Sequence, residues 1–83
     1  MDMQAFNAVL ESDLPEIEKL AKTFEMVTGM YIEDYERQVD LLRSVKERDA
    51  LVKEQIKLEL MKHARGIFAD CYFRVAGRRP WDG

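Results

Sequence analysis

Between Met30 and Val75 the chain has no proline and a single glycine, Gly66. No other feature limits the possible folds so much. As one unbroken helix the stretch would be about 70 Å long, at roughly 1.5 Å per residue. A chain of 83 residues has no body large enough to cover one side of such a rod. The stretch must therefore fold back on itself or meet another chain. Apolar residues make up 47% of the sequence and charged residues 35%, a mixture too hydrophobic for disorder and suited to amphipathic helices. No segment alternates apolar and polar residues in the manner of a strand. The expected class is all-α: a helical hairpin or short bundle organised around one long C-terminal helix and completed by self-association. Residues 1–77 form one domain and residues 78–83 an extended tail.

Charge is divided unevenly along the chain. Residues 1–36 carry nine acidic side chains against Lys19 and Lys22, a balance of −7, while residues 37–83 carry +4. Antiparallel folding, or antiparallel pairing of two chains, brings the unlike halves together. Such pairing steers register and association more than it adds stability.

Ala5, Phe6, Ala8, Val9 and Leu10 suggest a short first helix ending near Glu11 or Ser12. Asp13, Pro15 and Glu16 then have the spacing of a capped helix start. Ile17, Leu20, Ala21, Phe24 and Val27 follow at steps of three and four, which puts them on one side of a helix. Glu18 with Lys22, Glu33 with Arg37 and Asp49 with Lys53 are i,i+4 pairs that support helix. A break is expected at Thr28-Gly29, because a turn there returns the acidic half along the basic half. A lone helical glycine costs only about 1 kcal/mol, so a continuous helix is the alternative. The seam continues through Tyr31, Tyr35, Val39, Leu42 and Val45 and thins at Lys46–Asp49. Nothing between 44 and 50 is a strong breaker, and the expectation there is continuity. The competing reading has Asp49 capping a new helix after a tight turn.

From Val52 the seam resumes as Ile56, Leu60, His63 or Ala64, Ile67, Cys71 and Val75. Leu58, Met61, Phe68, Tyr72 and Phe73 widen it around most of the helix. A helix apolar over most of its circumference is enclosed by several neighbours. Val52, Ile56, Leu60, Ile67, Phe68, Cys71, Tyr72 and Val75 are accordingly the candidate interface. Gly66 among them suggests a close helix crossing, and Ala76-Gly77 is the expected end.

Reaction chemistry is sparse. Cys71 is the only cysteine and His63 the only histidine. They lie two turns apart on one helix, too far to share an ion unaided. Glu59 and His63 would meet a metal only across a dimer, and surface pairing of Glu59 with His63 or Lys62 is the plainer expectation. There is no Glu-x-x-His pair of the di-iron kind, no Gly-rich phosphate loop and no nucleophile set beside a base. Catalytic, cofactor-binding and metal-ligating residues are therefore not assigned, and no enzyme activity is expected. A lone cysteine suits a reducing cytoplasm. No run reaches the ~20 apolar residues of a membrane span, and the N-terminus lacks the pattern of a signal peptide.

Nucleic acid is the rival partner. Lys53, Lys57, Lys62, Arg65, Arg74, Arg78 and Arg79 make the second half basic, and Trp81 offers a stacking ring. The overall pI of about 5.1 and the interruptions at Glu54, Glu59 and Asp70 favour a solvated face instead. His63-Ala64, Ile67-Phe68, Cys71 and Arg74 resemble, in order and spacing, the end of the second helix of the small plasmid RNA-binding four-helix-bundle dimers that control copy number. The likeness is confined to residues 63–74, mostly core positions, and the RNA-binding function is not carried over from it. Arg78, Arg79 and Trp81 remain as a candidate docking tail, since arginine and tryptophan are the favoured anchors of protein interfaces. Capping of the bundle by Trp81 and fraying are the alternatives. The functional expectation is a cytoplasmic protein-protein interaction module, binding itself and another protein, with a dimeric nucleic-acid-associated protein as the alternative.

Overall fold

A computed structural model describes residues 3–81. The described chain is helical throughout its regular structure. Helix α1 spans Met3–Leu10, α2 Glu16–Val45 and α3 Arg48–Ala76. Helices α2 and α3 pack against each other, and α1 lies against α2.

The helical path breaks at Lys46-Glu47 and not at Gly29, which reverses both expectations about the breaks. Lys46 adopts the left-handed conformation at φ 59° and its N–H caps the Leu42 carbonyl. The Glu47 N–H also reaches that carbonyl, at 3.4 Å. These two bonds give α2 the closing geometry usually supplied by glycine. The apolar seam thins at this point, so little burial is lost by turning there. At residue 28, by contrast, Thr28 is buried and its hydroxyl donates to the Phe24 carbonyl at 2.6 Å. Burial against α3 holds α2 together through Gly29, outweighing the modest glycine penalty.

Other ends follow the sequence more closely. Gly77 closes α3 at φ 75°, with its N–H on the Phe73 carbonyl at 2.8 Å. Pro15 is the N-cap residue of α2, with Glu16 as the first helical residue, and no side chain caps that end. Asp13 therefore does not form the expected capping box. Helix α1 stops at Leu10, and the Ser12 hydroxyl donates to the Val9 carbonyl just beyond it.

The core is thin. Ala21, Val39, Leu58, Ala69 and Tyr72 are its buried apolar residues, and no large side chain among the described residues is fully enclosed. The molecule measures 47 × 29 × 16 Å, so its shortest dimension is little more than one helix with its side chains, about 10–12 Å. Among the described helices α3 packs only against α2.

Candidate interaction surface

Helix α3 is apolar on two opposite sides. Leu58, Ala69 and Tyr72 are buried against α2, with Leu51 half-buried. Val52, Ile56, Leu60 and Ile67 project away from the core and are 46%, 56%, 63% and 52% exposed. Val52 follows Leu51 by one residue, and one residue is about 100° of rotation. That offset alone carries the row out of the hairpin. Val75, 77% exposed, and Cys71, also exposed, continue the row toward the C-terminus.

Of the expected interface set, these six residues share an uncovered surface, and Phe68 and Tyr72 do not. Phe68 is half-buried and Tyr72 is only 4% exposed. Both rings belong to the hairpin's own packing. Phe68 stacks on Phe24 with centroids 4.3 Å apart, and Tyr72 lies 6.3 Å from Phe68.

Two concavities interrupt the uncovered surface. One, about 490 Å³, runs along α3 between Val52, Gln55, Ile56, Glu59, Leu60 and His63. The other, about 180 Å³, lies between the two long helices, where Ile17 and Leu20 of α2 face Phe68, Cys71 and Val75 of α3. Leu20 is itself exposed. The apolar surface thus extends from α3 across the groove onto α2, a spread that the separate helical seams do not reveal. Gly66 is exposed, and an added Cβ there would meet nothing within 4 Å, so it makes no close crossing within the chain. The close approach is at Gly29, where a Cβ would stand 3.6 Å from Arg65 Nη1.

The tail turns back over the open end of the hairpin. Trp81 stacks 5.3 Å from Phe68 and 6.1 Å from Phe24, with the Arg65 guanidinium 5.3 Å from its ring centroid. Arg78 donates to Glu18 of α2 and stands 5.6 Å from the Tyr72 ring centroid. The Tyr72 hydroxyl donates to the same Glu18 carboxylate. This is the capping arrangement among the three weighed for the tail. Arg79 is exposed, and Asp82 and Gly83 lie outside the described residues.

Glu18 is where the acidic and basic halves meet. The hydrogen bond from Tyr72, reinforced by the charge of Arg78, holds its carboxyl below the usual value of 4.5. The same hydrogen bond raises Tyr72 above 10.0. Glu18 thus bonds across to α3 and the tail, while the charge of Lys22, its expected i,i+4 partner, also favours the carboxylate. Arg37 pairs with Asp34 in place of Glu33. Of the basic residues that suggested nucleic acid, Lys57 bonds Glu54 at 3.0 Å, and Arg65 and Arg78 are engaged as described.

Among the described residues no three His, Cys, Asp or Glu side chains come together as a metal site. No described helix is long and apolar enough to cross a membrane. Comparison with protein-family models, curated proteins and solved structures finds no match to this chain.

Proposed function

We propose that the chain is a non-enzymatic protein-protein interaction module whose working surface is the outer side of α3. One observation carries this reading. A row of apolar residues on α3, Val52, Ile56, Leu60 and Ile67, points away from the core, each between about half and two-thirds exposed. Fully burying an Ile, Leu or Val side chain is worth about 1.5–3 kcal/mol. A contiguous row of such residues left in water marks a contact surface, whereas isolated exposed ones are ordinary.

The nucleic-acid alternative has less support. Its best stacking residue, Trp81, is held between Phe68 and Arg65, and part of its basic set is paired within the chain. A photo-crosslinking residue at position 60 tests the choice, with position 33 on the far side of the hairpin as control. Irradiation in native extract should join position 60 to protein and leave position 33 largely unreacted. Crosslinks to nucleic acid, or equal yields of protein adducts at the two positions, would defeat the reading.

A further inference from the structure

Resting on that reading, we infer that the occupant of the α3 surface is a second copy of this chain, joined to it by a two-fold antiparallel contact that completes a four-helix assembly. The first argument is area. A compact monomer of 9.8 kDa exposes about 5,200 Å² by the usual scaling of surface with mass. This chain exposes 6138 Å², an excess of about 1,000 Å². A standard interface buries about 800 Å² on each partner. The surplus is thus the size of one half of a stable contact.

The second argument is layering. A domain buries the apolar side of each element against another layer, yet among the described helices α3 packs only against α2. Helix α1 has only eight residues, lies on α2 and leaves the outer side of α3 open. The described chain has no further helix with which to cover it. A second hairpin of the same length and apolar character provides the missing layer, without requiring any other protein to match 29 residues of helix.

Shape sets the direction. In the N-terminal half of α3 the surface is a groove, bounded by Val52, Ile56, Leu60 and His63. In the C-terminal half Ile67 and Val75 stand 52% and 77% exposed, and with Cys71, on the rim of the concavity shared with α2, they form a ridge. A symmetric contact must present the same patch on both partners. Groove meets ridge twice only when the N-terminal half of one α3 lies on the C-terminal half of the other. The two-fold axis then passes near His63–Ile67. For the two halves to stay in contact along their length, the helices should cross at a shallow angle of roughly 20°, as in four-helix bundles.

Sedimentation equilibrium on the full chain, with engineered disulfides, tests the inference. The wild-type chain should be a dimer at micromolar concentration. Ile56→Glu with Leu60→Glu, both at exposed positions, should weaken association by roughly 100-fold, because each change is felt twice in a symmetric contact. In a Cys71→Ser background, His63→Cys should form a disulfide-linked dimer on mild oxidation and Val52→Cys should not. Equal linking at 52 and 63 would mean parallel helices and overturn the geometry. A dimer that links at neither position would place the contact elsewhere and also overturn it. The cysteine variants put no charge into the apolar row and change only exposed side chains, so they decide the matter even if the double glutamate variant unfolds. A wild-type chain that stays monomeric at about 100 μM, a concentration that would populate any specific dimer tighter than −5.5 kcal/mol, sinks the second copy as occupant. Protein crosslinks from position 60 would then still leave the broader interaction reading standing.

Discussion

Replacing Trp81 with alanine is the most direct probe of how the C-terminus is held. Two ring contacts, to Phe68 and Phe24, are each worth about 0.5–1.5 kcal/mol. The Arg65 contact adds about 0.5–1 kcal/mol at a partly exposed site. Together they stabilise the folded chain by about 3 kcal/mol. Against this, residues 79–81 regain freedom once the ring is gone, at about 1 kcal/mol per backbone residue if fully released. Gly77 and Arg78 remain tethered by their own bonds, so the recovery is partial. The net loss should be about 1.5 kcal/mol, or a fall in Tm of about 6–12 °C for a domain of this size.

Thermal unfolding followed by circular dichroism measures the change at fixed protein concentration. Trp81→Phe should retain the stack and lose about half as much. Trp81 is the only tryptophan in the chain, so wild-type fluorescence reports on the tail alone. Its emission should shift to the red with the helical signal and not before it. A Trp81→Ala variant whose Tm lies within 1 °C of wild type would refute the reasoning. The ring would then be free in solution, and the segment Arg78–Trp81 would return as a docking peptide.

The Glu18 cluster makes stability depend on pH in a defined direction. The folded state lowers the Glu18 pKa, so its contribution is present above 4.5 and is lost as pH falls through the depressed value. Tyr72 is raised, so its contribution is present below 10.0 and is lost as pH rises through the elevated value. Chemical denaturation at several pH values should show both limbs, and Glu18→Gln should flatten the acid one; an unchanged acid limb would contradict the assignment. At the helix ends, Lys46→Gly should raise stability by about 0.5 kcal/mol by relieving its left-handed conformation, and Gly77→Ala should lower it by about 1 kcal/mol. Urea midpoints moving in the same direction for both would count against these geometries. Gly29→Ala should raise Tm by a few degrees, corresponding to about 0.5–1 kcal/mol, because the helix is continuous there and the new methyl meets Arg65 at ordinary contact distance; a fall in Tm would mean that the Arg65 side chain does not yield.

Helical class, the end of α3 at Gly77 and the apolar richness of residues 52–75 are all legible in the sequence, because each depends on local chemistry. The two breaks were not, and the reason is instructive. Glycine is the usual terminator, yet here Gly29 sits next to buried Thr28 and opposite Arg65, while an unremarkable lysine takes the left-handed turn. Where a long amphipathic segment folds is decided by which stretch buries least when turned, a property of the whole hairpin. The face of α3 that packs on α2 was equally obscure. Its inward positions include Leu51, Gln55, Leu58, Arg65, Ala69, Tyr72 and Ala76. Four of these seven are polar or small, so counting apolar residues selects the richer Val52 row one position away. Arg65 stands among inward positions because it packs over Trp81 and past Gly29, contacts that no helical periodicity encodes.

That inversion bears on what the chain is for. A helix that needed only to close a hairpin would place its best apolar row toward its partner helix and let the poorer row face water. Helix α3 does the reverse: Ala69 and Leu58 face inward, whereas Ile56, Leu60 and Ile67 face out. The hairpin contact is accordingly shallow, and it is helped by polar fastenings at one end, Arg78 and Tyr72 on Glu18. These fix which helix faces are turned outward more than they add to a core. On the proposed reading the division is sensible. The inner contact sets the register of a thin two-helix layer, and the larger share of apolar burial is left for the contact between layers, so that folding and assembly draw on the same surface.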